Sequence, residues 1–176
     1  MRLYTNDLNG IMKCKKIGFF VAVLCSISSY AQSPKADWSA LVGYGLSYSG
    51  TNVHAEARRV GQKGHVFDLG LLYNLSDGFT NRPVPGVRLF YGYQILKSER
   101  WDVVTGLSYV REKPLKIVNI QMLNYATSTS LKLNEKLSFR TQIGYGVALE
   151  RAASAGAFSQ SNNISGALSL GCAYKI

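Results

Sequence analysis

The chain is poor in the residues that build most catalytic and metal centres. It has two histidines and three cysteines in 176 residues. Cys14 and Cys25 fall in the N-terminal segment and only Cys172 lies beyond it, so the body of the chain has no internal disulfide and no cysteine zinc site. Charged residues make up 17%, against about 25% in an ordinary soluble domain. Proline is scarce at 4 residues, which leaves long stretches free to pair as strands. After Ala31 no apolar run approaches the roughly 18 residues of a membrane helix, so any crossing of a bilayer must be by strands closed into a barrel. What is plentiful is glycine, at 17, and tyrosine, at 11. Such a composition fits many short strands and, in a membrane barrel, tyrosines gathered at the two water–lipid interfaces.

The N-terminal segment reads as a secretory leader. Lys13, Lys15 and Lys16 precede an apolar run from Ile17 to Ile27, and Ser29 and Ala31 set small residues at the −3 and −1 positions of a signal-peptidase site. Cleavage is expected after Ala31, giving a leader with its N-terminal extension over 1–31 and a mature domain over 32–176. Translation starts at Met1 or at Met12. The leader carries four basic residues and one acid, so the net charge of +10 falls to +7 in the mature chain, with 16 basic and 9 acidic residues. The basic residues form no run, and the balance reads as solubilising charge on loops, with polyanions such as lipopolysaccharide the alternative. Nucleic acid is not expected as a partner.

The mature chain has a period of two. Trp38, Ala40, Val42, Tyr44 and Leu46 alternate with Ser39, Leu41, Gly43 and Gly45. The same pattern recurs at 67–73, 88–95, 101–109, 138–149 and 164–176. One face is bulky and apolar, and the other is small or polar. A soluble sandwich would carry long charged side chains on its second face. A small second face suits the crowded inside of a narrow barrel. Residues 52–60 and 116–132 alternate less well. Counting both gives eight strands, and dropping 52–60 gives seven. The expected links at one end are residues 61–64, 97–100 and 134–136, all tight. The other end has 49–52, 76–86, 111–115 and 151–162, two of them long loops. Short periplasmic turns and longer outer loops are the habit of outer-membrane barrels.

With these strands, segments such as Val42-Gly43-Tyr44-Gly45-Leu46 and Ile143-Gly144-Tyr145-Gly146-Val147, and a last strand alternating through Leu168, Leu170, Cys172, Tyr174 and Ile176, residues 37–176 resemble the small outer-membrane β-barrel superfamily, the eight-stranded porin-like or outer membrane protein A/X type. The resemblance implies an all-β, closed, antiparallel, up-and-down transmembrane barrel in the outer membrane of a Gram-negative-type bacterium. It implies recognition by the outer-membrane assembly machinery, contact with lipid and lipopolysaccharide, and a monomer. The role expected is non-enzymatic, structural or adhesive, with no cofactor and no metal. A lipid A acylase or deacylase and a secreted barrel for a small apolar ligand are the alternatives.

Placing the small or polar face inward puts a candidate polar network of Asp68, Arg88, Asp102 and Arg140 in the lumen, with Gln94, Asn119, Gln121 and Gln142. Charges there must be paired to be tolerable. The expected outcome is a plugged lumen, and a narrow pore is the alternative. His54, with Glu56 two residues on, is placed near the outer rim, and His65 near a periplasmic turn. Arg58, Arg59 and Arg151 are placed near the outer loops, in reach of lipopolysaccharide phosphates.

Overall fold

A computed structural model describes residues 37–75, 83–115, 117–154 and 157–176. The expected leader and its cleavage site at Ala31 lie outside them. Eight strands follow in order: β1 (Asp37–Ser47), β2 (Gly50–Val60), β3 (His65–Asn74), β4 (Val84–Lys97), β5 (Trp101–Leu115), β6 (Val118–Lys132), β7 (Leu137–Ser154) and β8 (Ala157–Lys175). Each pairs antiparallel with the next, and β1 pairs with β8 to close the barrel. The weakly alternating segment at 52–60 is therefore a strand, and the count is eight. Every strand has at least the 9–11 residues that a tilted membrane crossing needs.

Both ends of the barrel chain, and the turns β2–β3, β4–β5 and β6–β7, share one rim, here the terminal end. Gly64, at φ 82°, lets the β2–β3 turn close, and Gly50, at φ 129°, does the same at the opposite rim, the loop end. There the 151–162 loop expected from sequence is absent. β7 runs on to Ser154 and β8 starts at Ala157, with Ser154 paired to Ala157 and the register unbroken from there to Tyr174.

The period of two sets the faces. Val42, Tyr44, Leu69, Leu71, Tyr91, Tyr93, Ile143 and Tyr145 point out and are exposed. Asp68, Arg88, Ser128, Arg140 and Ser165 point in and are buried. The inside-out distribution of a soluble protein is reversed, as hydrocarbon outside the wall requires. Two residues depart from the expected faces. Asn119 and Gln121 point outward, while Ile120 and Met122, between and beside them, fill the lumen at 0% exposure. The inward row of β6 at this height is apolar, beside the inward Glu112 of β5 and Glu150 of β7, so the rule that polar means inward reverses along β6.

Candidate functional site

The lumen holds the buried charge of the protein. Its centre is an alternating chain of five groups. Arg58 donates from Nε and Nη2 to the two oxygens of Asp68 at 2.8 and 3.0 Å. Arg140 Nη2 donates to Asp68 Oδ2 at 2.6 Å, and its Nη1 donates to Glu56 Oε2 at 3.4 Å. Arg88 Nε lies 3.1 Å from Glu56 Oε1. Each acid thus bridges two arginines, in the order Arg88–Glu56–Arg140–Asp68–Arg58. Neutral groups take other donors: Ser128 Oγ accepts from Arg140 Nε at 2.7 Å, Gln142 Oε1 accepts from Arg140 Nη2 at 3.1 Å, and Ser169 Oγ accepts from Arg88 Nη2 at 3.4 Å. The network joins β2, β3, β4, β6, β7 and β8 across the interior.

Glycines make room for these side chains. Gly43 stands opposite His54, and Gly70 stands opposite Glu56 on one side and Arg88 on the other. A Cβ at Gly43 would come 2.6 Å from His54 Nε2, and one at Gly70 would come 2.6 Å from Glu56 Cγ. Gly171 likewise faces Arg140. A long inward side chain is matched with an inward glycine on the neighbouring strand because an eight-stranded interior has volume for only one of the two.

Two apolar clusters flank the charges. Leu72, Val110, Ile120, Met122 and Ala148, with Tyr48 and Val118 against them, form the first. Val66, Phe90, Val104 and Ala126, with Val60, form the second. Along β3 the order is Val66, Asp68, Leu72, so the charge sits between them, with the first cluster toward the loop end. The loop end is capped again. The Tyr48 hydroxyl donates to Glu150 and accepts from Asn163 Nδ2 at 2.8 Å. The bond to Glu150 raises the Tyr48 phenol above its ordinary pKa. Asn74 Nδ2 donates to Glu112 Oε2 at 3.1 Å and to the Ser49 carbonyl at 3.2 Å. A cavity of about 20 Å3 beside Arg88, Ser108 and Ser169 has room for about one water.

Of the four network residues expected from sequence, Asp68, Arg88 and Arg140 meet in the central chain. Asp102 does not. It lies at the terminal rim, half-buried, with Lys132 Nζ 3.1 Å from its Oδ1. It sits at the start of β5, too near the rim to reach the arginines. Glu56 and Arg58 are the members that sequence reasoning placed elsewhere. Arg58 is in the lumen toward the terminal end, and Arg59 faces outward there with its guanidinium 5.8 Å from the Trp38 ring centroid. Both were expected near the outer loops; β2 runs from the loop end, so its last residues reach the opposite rim. His54 is not on the outer rim either. It is 4% exposed inside the wall, with Nε2 3.7 Å from Glu56 Oε1. The available signal was the alternation of Asn52, His54, Glu56 and Arg58 with Val53, Ala55 and Ala57, whose outward set is only weakly apolar. His65 is exposed at the terminal end, where Nδ1 and the Tyr91 hydroxyl are 3.0 Å apart. No group of three or more His, Cys, Asp or Glu among the described residues is placed to hold a metal ion.

An apolar exterior, a closed eight-strand wall and a charged, filled interior define a transmembrane β-barrel. Solved structures similar to this one are of the same architecture. A protein from the de novo design of transmembrane β-barrels aligns at a TM-score of 0.54 and 12% identity, over 82% of this chain and 98% of its own. The designed barrel TMB2.3 aligns at 0.54 and 10%, over the same shares. The outer membrane protein AlkL, solved in lipid bilayers, aligns at 0.50 and 12%, over 81% of this chain and 90% of its own. No protein-family model and no curated protein matches the sequence.

Proposed function

We propose that the protein is a non-enzymatic barrel of a bacterial outer membrane, with a structural or surface-interaction role and no conducting path. The observation that carries this reading is the layered lumen: among the described residues, two apolar clusters lie on either side of the charge network, and the cavity beside Arg88 has room for about one water. Contact with partners then falls to the outer wall and the loop end. The terminal end, with its short turns, belongs in the periplasm, and the β7–β8 hairpin belongs outside. Outward-facing Arg111 and Arg151, near the loop end, are suited to lipopolysaccharide phosphates. The last strand carries the alternation that the assembly machinery would read.

The folded protein is expected to sediment with outer membranes and to migrate faster on a gel before boiling than after. In planar lipid bilayers it is expected to give no stepwise conductance. Discrete channels of uniform size would sink the plugged reading.

The position of His54 bears on the enzymatic alternative. An acyl-transfer base must reach lipid, and this imidazole is enclosed behind Gly43. His54→Gln is expected to leave the acylation of lipid A unchanged in mass spectra of the host's envelope. A lost or gained acyl chain would restore the lipid-enzyme reading.

A further inference from the structure

The charges at the centre of the lumen do not balance. The chain Arg88–Glu56–Arg140–Asp68–Arg58 holds three guanidinium groups and two carboxylates, so one positive charge is in excess. His54, beside Glu56, adds no negative charge. The other inward acids stand nearer the loop end, where Glu112 holds Asn74 and Glu150 holds Tyr48.

The excess falls on Arg88. Arg58 and Arg140 both donate to Asp68, at 3.0 Å or less. Arg88 has no such bond. Its Nε lies 3.1 Å from Glu56 Oε1 without the alignment of a hydrogen bond, and its Nη2 reaches Ser169 Oγ at 3.4 Å. Its Nη1 has no acceptor among the described residues. Arg88 is nonetheless 8% exposed. A buried charge without a full set of partners is costly.

The cavity of about 20 Å3 lies against this arginine. Among the described residues, Arg88 is the only charged one that lines it. Ser108, Ser169 and Asn52, all buried, bring hydroxyl and amide donors. The Ser169 hydroxyl accepts from Arg88, which leaves its own proton to donate. On β5 the inward Val110 stands between Ser108 and Glu112, so that acid is kept off. Leu46 and Leu168, the last pair of the β1–β8 seam, also line the cavity, so it reaches the point where the pairing of the wall stops. Surplus positive charge, donors with no carboxylate among them and room for about one water describe a receptor for a small anion.

We propose that this cavity binds one chloride-sized monovalent anion, held by the Arg88 guanidinium and the hydroxyls of Ser108 and Ser169. The ion completes the alternation of charge, and three positive groups then meet three negative ones. A water there would satisfy the donors but leave the charge. A lipid phosphate or carboxylate is too large for the space. Asn52, Arg88, Ser108 and Ser169 come from β2, β4, β5 and β8, so the site exists only in the closed barrel, and its occupation stabilises that state.

The full chain, folded in lipid vesicles, is unfolded in urea at fixed ionic strength while sodium chloride is replaced stepwise by sodium gluconate, whose anion is too large for the cavity. A ligand of the folded state alone raises the folded-to-unfolded ratio by the factor 1 + [L]/Kd. Above the dissociation constant, each tenfold rise in chloride is expected to raise the ratio about tenfold. Bromide is expected to replace chloride. The dependence is expected to vanish in Arg88→Gln. Ser108→Val keeps the charge network and removes one hydroxyl, so it tests the site even where Arg88→Gln does not fold. It is expected to need about tenfold more chloride for the same ratio, as loss of one hydrogen bond to a charged group implies. Arg111→Gln with Arg151→Gln, both outward, is expected to keep the native dependence. Equal stability of the native chain in chloride and gluconate means that the space holds water only, and overturns the proposal. So does a dependence unchanged in Arg88→Gln or in Ser108→Val, or one lost with the outward arginines, because the ion then sits on surface charge. The gel shift on heating is measured on the same samples. A lost shift in the native chain faults the barrel itself, whereas an intact shift without a chloride effect faults only the anion site.

Discussion

Asp68→Ala is expected to be the most destabilising single change in the lumen. Its carboxylate accepts from both Arg58 and Arg140, and it is fully buried. Removing it leaves Arg58 without the carboxylate to which it donates and Arg140 with only Glu56, which is also held by Arg88. Breaking a buried pair by removing one partner costs about 3–5 kcal/mol, because the remaining charge is neither paired nor hydrated. Two arginines are affected here, so the upper part of that range is expected. Arg140→Ala is expected to cost about 3 kcal/mol on the same grounds, since Asp68 keeps Arg58 and Glu56 keeps Arg88. The check is unfolding in urea from lipid vesicles, followed by the fluorescence of Trp38 and Trp101. A loss for Asp68→Ala smaller than for Arg140→Ala, or no loss in either, would mean that the chain of ion pairs is not what holds the strands in register. Asp102→Ala serves as a contrast. It loses a half-buried pair with Lys132 and is expected to cost less than about 1 kcal/mol.

Gly106→Val is expected to prevent closure of the barrel. Gly106 faces Gly92 across β4 and β5. A Cβ there would lie 2.1 Å from the Tyr91 carbonyl oxygen and 2.4 Å from the Gly92 Cα. Both are backbone atoms, so no side chain can swing away, and the two strands would have to separate. Glycine pairs of this kind let a barrel wall bend sharply enough to close. The Phe90 ring lies over Gly92 and occupies the lumen side of the same bend. The variant is expected to remain in the slow-migrating, unfolded band before and after boiling. Gly166→Val, placed in open space, is expected to fold as the native chain does. If Gly106→Val shifts normally on heating, the bend does not depend on glycine.

Much of the fold was readable because a barrel wall imposes one local rule. Alternate side chains face outward and are mostly apolar, a pattern that most of the strands from β1 to β8 keep. Strand β2 shows the limit of that rule. Ala55 and Ala57 face outward, and their small size hides the alternation that His54, Glu56 and Arg58 maintain inside. Asn119 and Gln121 show another limit, because no property of those residues states that β6 turns its apolar row, Ile120 and Met122, inward. The 151–162 segment was expected to be a loop between strands, yet 151–154 and 157–162 pair with β8 and β7 as strand.

The sequence by itself determined the fold class: little charge, abundant glycine and tyrosine, and a period of two with one bulky apolar and one small face call for a closed β-barrel, for which a membrane covers the apolar face. It also identified Asp68, Arg88 and Arg140 as inward charges. Only the tertiary structure decided who their partners are. Glu56 lies on a neighbouring strand from Asp68, and Arg140 lies far from both in sequence, so closure of the ring brings the three together. The cavity beside Arg88 is likewise a matter of register. Strand lengths and their stagger around the barrel place it where the β1–β8 pairing stops, and neither is written in any one segment.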